Sequence, residues 1–141
     1  MNEAKKNVLI IVRGVPGSGK STLAKCILRG QLDYRHLEAD MYFLDEKTGE
    51  YRFNKEEIGV AHAWCQAHAD KFLSEGLNVI VSNTFTRAWE IAPYVQIARR
   101  YGATIQIITM QGQFGNMHGV PEEAVQAMLD RFEWFIDLEK L

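Results

Sequence analysis

A three-layer α/β fold, with a mainly parallel sheet of about four to five strands covered by helices on both faces, is what this sequence predicts. Three observations carry it. Short apolar or β-branched runs recur at 8–12, 77–81 and 104–109, and each is followed by a stretch of helical character. The first run, Val8-Leu9-Ile10-Ile11-Val12, is apolar without alternation, as a strand buried on both faces requires. Strands alternating with helices imply right-handed crossovers, and therefore strands that run parallel.

Between the first strand and the helix over 22–28 stands Arg13-Gly14-Val15-Pro16-Gly17-Ser18-Gly19-Lys20-Ser21-Thr22, which reads Gly-x-x-x-x-Gly-Lys-Ser. Strand, glycine-rich loop and helix together make a phosphate site rather than a string match. Gly14, Gly17 and Gly19 let successive N–H groups point inward, and the helix start adds its positive dipole end. Val15, Pro16 and Ser18 complete the cradle. Lys20 is expected to reach the β and γ phosphates of ATP, and the Ser21 hydroxyl to take one ligand position on Mg²⁺. Thr22 is expected to satisfy a free N–H in the helix's first turn.

After that helix, a brief second strand is expected to end at Asp40, at the carboxyl edge of the sheet where ligands of open α/β sheets sit. Residues 45–53 read as a turn between two short extended pieces, with Gly49 supplying a positive φ. A long helix capped by Asn54 follows, with Ile58, Ala61, Cys65, Ala69 and Phe72 on one face and Gly76 closing it. The third strand, 77–81, delivers Ser82-Asn83-Thr84 to its carboxyl end. A helix over 87–101 with Pro93 inside it, the fourth strand, a polar loop over 111–120 and a helix from Pro121 to Leu138 complete the chain. The last helix has an apolar stripe of Val125, Met128, Leu129, Phe132, Phe135 and Ile136.

The chain has 141 residues, 47% of them hydrophobic, which suits one domain over 1–141 with a substantial core. A net charge of −2 excludes a strongly basic nucleic-acid coat, although a local basic groove remains open. Cys26 and Cys65 lie in separate predicted helices and read as reduced core residues of a cytoplasmic protein. No signal-peptide core follows Met1, and no apolar run approaches the ~20 residues of a membrane span. His62, Cys65 and His68 step by three along one helix and spread too widely for a metal site; His68 is expected to stack on Trp64, one turn away.

With these residues in view, the chain resembles the polynucleotide-kinase-like branch of small P-loop kinases, and most of all the compact domains related to the kinase module of the NEDD4-binding proteins. The likeness covers the glycine-rich loop through Ala24, Ala39-Asp40-Met41-Tyr42-Phe43, Gly49 to Phe53, Ala61 to Cys65, Val79 to Thr84, Trp89-Glu90, Tyr94, His118 to Pro121, Met128 and Arg131 to Glu133. The resemblance implies a P-loop, kinase-like fold that transfers the ATP γ-phosphate to a hydroxyl, with Asp40 as general base. A carboxylate within hydrogen-bond reach of an alcohol can take its proton as the O–P bond forms. Taken alone, Asp40 could equally cap the next turn or stand in the outer shell of Mg²⁺. Tyr42 and Phe43, beside it, are expected to touch the acceptor, whereas Phe53 is expected in the core.

Two departures from the family pattern stand out. Relatives often carry Asp-Asn-Thr after the third strand, and this chain has Ser82 in the aspartate's place, leaving metal binding to Ser21, phosphate oxygens, water and Asp40. Asn83 and Thr84 serve either the acceptor or the closing of the strand-to-helix turn. Kinases of this kind also close an arginine-bearing lid, yet there is no Lys or Arg between Arg100 and Arg131. Arg13, Arg87, Arg131 and His118 are the candidates to replace that cation. The expected acceptor is a hydroxyl of a nucleic acid, either a 5′ end or a hydroxymethylated base. A small-molecule or nucleoside kinase is the first rival, and a nucleotide-binding adaptor with little turnover the second.

Overall fold

The computed structural model describes residues 6–112 and 119–141. Among them, β1 (Val8–Arg13), β2 (Tyr34–Leu37), β3 (Asn78–Asn83) and β4 (Thr104–Thr109) form one sheet, and α1 (Lys20–Leu28), α2 (Ile58–Ser74), α3 (Ala88–Arg100) and α4 (Glu122–Arg131) are the helices. The spatial order is β2-β3-β1-β4 and every pairing is parallel. No helix among the described residues is long and apolar enough to cross a membrane.

The two faces of the sheet explain the continuous apolar runs. Leu9, Ile11, Val79 and Val81 pack with Ala61, Cys65, Ala69 and Leu73 of α2 and with Ile91, Tyr94, Val95 and Ala98 of α3. Ile10, Val12 and Ile80 point the other way, onto Ala24 of α1 and its partly buried neighbours Leu23 and Ile27. Each such aliphatic side chain contributes about 1.5–3 kcal/mol relative to exposure. This three-layer α/β arrangement is the expected one.

Several boundaries differ from expectation. β2 ends at Leu37, registered against Val81, and Asp40 lies instead on a 3₁₀ turn spanning Ala39–Phe43. The ladder stops because the Ala39 N–H donates to Asn83 Oδ1 at 2.8 Å instead of to a backbone carbonyl. Asn54 does cap, accepting from the Glu56 N–H, but a 3₁₀ turn over Lys55–Glu57 precedes α2, and Ile58 is exposed while Leu73 is buried. Gly49 and Gly76 take the expected positive φ, 73° and 81°, and an isolated antiparallel bridge joins Leu44 to Tyr51. Pro93 does lie inside α3.

The last helix is the largest correction. It ends at Arg131, seven residues before Leu138, and Pro121 is its cap rather than its first residue. Phe132 turns extended, the Glu133 N–H donates to the Thr86 carbonyl at 2.7 Å, and Phe135 is left exposed. Cys65 is buried as expected, whereas Cys26 is exposed.

Candidate functional site

The carboxyl ends of β1, β2 and β3 and the start of α1 meet at one edge of the sheet. Gly14 leaves β1 and donates its N–H to the Thr84 carbonyl at 3.2 Å, which ties the phosphate loop to the end of β3. A side chain at Gly14 would clash with Ser18 Oγ and come within 3.0 Å of the Met110 carbonyl, so only glycine fits. Gly17 and Gly19 have positive φ of 84° and 96°, which curls the loop. Gly19 occupies the N-cap of α1 and brings no side chain, so no side chain caps the first turn; Thr22 is exposed there. Ser18 Oγ is buried with no hydrogen-bond partner among the described residues, a polar atom aligned with the role of a phosphate cradle.

Lys20 Nζ donates to the Val15 carbonyl at 3.0 Å and so lies over the loop. Burial pulls its pKa down to about 8, against the opposing pull of Glu38 and Asp40. Ser21 Oγ donates to Glu38 Oε1 at 2.5 Å, and Ser82 Oγ donates to the same oxygen at 2.9 Å. His36 Nε2 stands 2.6 Å from Ser82 Oγ and 3.4 Å from Glu38 Oε1. Burial alone would raise the Glu38 carboxyl, but bonds from His36, Ser21 and Ser82 outweigh it and hold the pKa at about 2.

Glu38 is the residue that sequence reasoning missed. The signal that could have found it is Glu38-x-Asp40, two carboxylates after one strand, together with Ser82, which leaves a carboxylate wanting at the next. Asp40 is exposed on the 3₁₀ turn, accepting from the Tyr51 hydroxyl at 3.2 Å. That turn is held in place by the Asn83 side chain, whose Oδ1 takes the Ala39 N–H. Asn83 is therefore a positioning residue in the interior, 9% exposed, rather than a group open to an acceptor. The Thr84 side chain is half-buried.

Two aromatic expectations reverse. Phe43 is 6% exposed and belongs to the core, while Phe53 is 55% exposed and packs its ring edge-on to Phe43 at 5.2 Å. Phe43, on the 3₁₀ turn that packs on α2, takes the inner position, and Phe53, beyond that turn, is left outside it. Tyr42 is half-buried, 6.3 Å from Trp64. His68 stacks on Trp64 at 4.4 Å, as expected, and no group of three metal-ligating side chains occurs among the described residues.

Of the arginine candidates, Arg13 is fully buried. Its Nε and Nη2 donate to the Phe85 carbonyl at 3.0 and 2.7 Å, and its guanidinium lies 4.1 Å over the Phe132 ring. It is thus a structural cation, unable to reach a phosphate. It also braces Phe85, which has a φ of 45° without being glycine, a strained conformation costing about 1–3 kcal/mol. Arg87 is exposed at the N-cap of α3 with Nη1 3.8 Å from Glu133 Oε1. Arg131 ends α4 with Nε donating to Thr86 Oγ1 at 3.3 Å. His118 and most of the expected lid, 113–118, lie outside the described residues.

A cleft of about 730 Å³ opens beside the phosphate loop, between Val15-Pro16-Gly17, Met110 and the Val125, Leu129 and Trp134 side of the C-terminal segment. A second groove of about 790 Å³ runs between α2 and α3, away from this edge.

Compared with known proteins, residues 9–113 match the AAA domain family. Human NEDD4-binding protein 2 is 30% identical over 141 residues, which cover 93% of this chain and 8% of that protein, so the chain spans under a tenth of this relative. A chain of the Pnkp1/Rnl/Hen1 RNA repair complex superposes with a TM-score of 0.69 at 20% identity, over 92% of this chain and 45% of that one. A Mycobacterium tuberculosis APS kinase, CysC, superposes with a TM-score of 0.61 at 16% identity, over 91% and 98%. These likenesses establish a P-loop, kinase-like fold.

Proposed function

Since the chain belongs to the AAA domain family, in a P-loop branch with kinase-like architecture, we propose that it is a Mg²⁺- and ATP-dependent phosphotransferase with a nucleic-acid hydroxyl as acceptor. The observation that carries this reading is the meeting of the phosphate loop with the end of β2 on one edge of the sheet, where Lys20 lies over the loop, Ser21 donates to Glu38, and Asp40 follows two residues later on the 3₁₀ turn. Gly14 to Thr22 would hold the triphosphate, with the orphaned Ser18 hydroxyl as an added donor, and the apolar cleft beside Val15 would take the base. Mg²⁺ supplies charge neutralisation when bound, and Ser21 is the hydroxyl that would hold it.

In the reaction, Asp40 accepts the proton of the acceptor hydroxyl while its oxygen attacks the γ-phosphorus. The bond from that phosphorus to the bridging oxygen breaks and ADP leaves with the electron pair. Lys20 supports the charge that spreads over the phosphoryl oxygens. Arg131 is the better substitute for a lid arginine, because it is held by a hydroxyl, while Arg87 already faces the Glu133 carboxylate. Tyr51, which donates to Asp40, and Phe53 are both exposed and both set edge-on to Phe43, aromatic surface that suits stacking of a base, with Tyr42 half-buried behind it. Thr84, whose carbonyl accepts from the Gly14 N–H, ties the end of β3 to the phosphate loop.

A small-molecule acceptor is the second reading. It is favoured by the net charge of −2, since polynucleotide binders draw most affinity from Lys and Arg on phosphates. Transfer of labelled phosphate from ATP to 5′-hydroxyl oligonucleotides, hydroxymethylated DNA and nucleosides separates the two. Asp40→Asn is expected to lower the rate by about 10²–10⁴-fold. In the same assay Arg131→Ala is expected to slow turnover and Arg87→Ala to leave it near wild type. Undiminished transfer by Asp40→Asn would remove the base, and no transfer to any acceptor would leave a nucleotide-binding adaptor.

A further inference from the structure

A phosphate-loop site sets a carboxylate beside its hydroxyl ligand to hold the metal, and that carboxylate ordinarily comes from a strand end. At the end of β3, next to β1 in the sheet, this chain offers Ser82. We infer that the carboxylate has moved one strand over, and that Glu38, at the end of β2, is the metal-facing acid of this site, with Ser82 and His36 positioning it. The inference rests on the nucleotide-binding reading above and adds to it a residue and a reason for its neighbours.

Geometry is the first support. Glu38 follows Leu37, whose register partner is Val81, so Glu38 lies across from Ser82. Its backbone is still extended, φ −135° and ψ 142°, which sends the side chain along the sheet edge toward α1. There Oε1 takes the hydroxyl proton of Ser21, the loop's own metal-ligand residue, at 2.5 Å. Because β2 is separated from β1 by β3, a carboxylate there must reach farther than one on β3. Glutamate has the extra methylene, and serine at position 82 leaves it a path.

Hydrogen-bond bookkeeping is the second. The single Ser82 hydroxyl proton goes to Glu38 Oε1 at 2.9 Å, so Ser82 Oγ must accept from His36, whose Nε2 therefore carries a proton. The chain His36 to Ser82 to Glu38 leaves each group with one direction of donation and orients Oε1 toward Ser21. The described bonds all fall on Oε1, so Oε2 remains for a further partner.

Chemistry is the third. A charged side chain only 18% exposed is costly to keep without a function or full pairing. Hydroxyl and carboxylate oxygens are the hard donors Mg²⁺ takes, and one or two carboxylates plus substrate phosphates suffice for it. An aspartate at 82 would bring a second negative charge onto the oxygen that Ser82 now serves, so residues 38 and 82 form a reciprocal pair in which one carboxylate is needed and two repel.

The test reads metal binding apart from turnover, by titrating the protein with a fluorescent ATP analogue in EDTA and again in MgCl₂. Wild type is expected to bind more tightly with Mg²⁺. Glu38→Gln should lose roughly tenfold or more of that gain, read as the ratio of the variant's own affinities in the two buffers, the size of a hydrogen bond or contact to a charged partner. Glu38→Ser should behave like Glu38→Gln, and the exchange Glu38→Ser with Ser82→Asp should restore most of the gain. An unchanged gain in Glu38→Gln, or an exchange variant no better than Glu38→Ser, overturns the inference. Should the Glu38 variants fail to fold, Ser82→Asp alone decides. Two facing carboxylates should make its melting temperature rise more with MgCl₂ than that of wild type, and an equal rise overturns the inference. Wild type that binds no nucleotide in either buffer would instead remove the phosphate-site reading beneath it.

Discussion

At the scale of single residues, the site is built from small, specific allowances. Gly14 has room for no side chain, because Ser18 and the Met110 carbonyl close over it. Gly14→Ala is therefore expected to weaken ATP binding by more than about tenfold in a direct binding titration, through displacement of the loop's N–H groups. Gly30, with φ 75° but nothing within 4 Å, offers the contrast. There an alanine should cost only about 1–2 kcal/mol of stability and leave binding alone. Glu38 makes a pH prediction with a definite sign. Its folded pKa of about 2 lies below the usual 4.5, so its contribution is complete above about 4.5 and is lost as pH falls from there toward 2. By linkage this is roughly 3 kcal/mol in metal-free buffer, and denaturant midpoints measured from pH 6 to pH 2.5 should fall more steeply for wild type than for Glu38→Gln. The loop residues were legible because a Gly-rich spacing encodes its own geometry, whereas Glu38 was not, since its partners are 17 and 44 positions away.

At the scale of elements, the end of α4 shows tertiary contacts overriding helical pattern. Val125 through Ile136 has helical spacing, yet the chain turns extended at Phe132 so that its ring can cover the Arg13 guanidinium at 4.1 Å. Arg13 in turn holds the strained Phe85 corner, and Glu133 and Arg131 bond to Thr86 beside it. Phe132→Ala should lower stability by about 3–5 kcal/mol, since it leaves both a cavity and a buried guanidinium uncovered. Urea denaturation reads this directly, and a loss under 1 kcal/mol would show that the corner does not depend on the ring. No local periodicity could announce this break, because the partner of Phe132 is a charged side chain on β1. The same reason explains the exchange of Phe43 and Phe53, where packing against α2 decides which ring is inside.

At the scale of the whole molecule, the sheet order β2-β3-β1-β4 gathers the ends of β1, β2 and β3 around the start of α1, and the phosphate loop sits at that junction. Ligand bound there bridges several elements at once. At 100 times its dissociation constant, MgATP should therefore add about 2.7 kcal/mol of stability, a rise on the order of 5–15 °C in melting temperature. A melting curve unmoved by MgATP and by ATP in EDTA would contradict binding at this junction. Alternation of strand and helix and the glycine-rich loop were determined by the sequence itself, because each depends on residues a few positions apart, and the parallel direction of the strands follows from that alternation. Tertiary structure alone decided that β2 lies beside β3, that Arg13 is locked away from any phosphate, and that Glu38 faces Ser21 across Ser82. Those outcomes depend on which distant strands become neighbours, and strand order is an energy of the assembled sheet that no short stretch of chain contains.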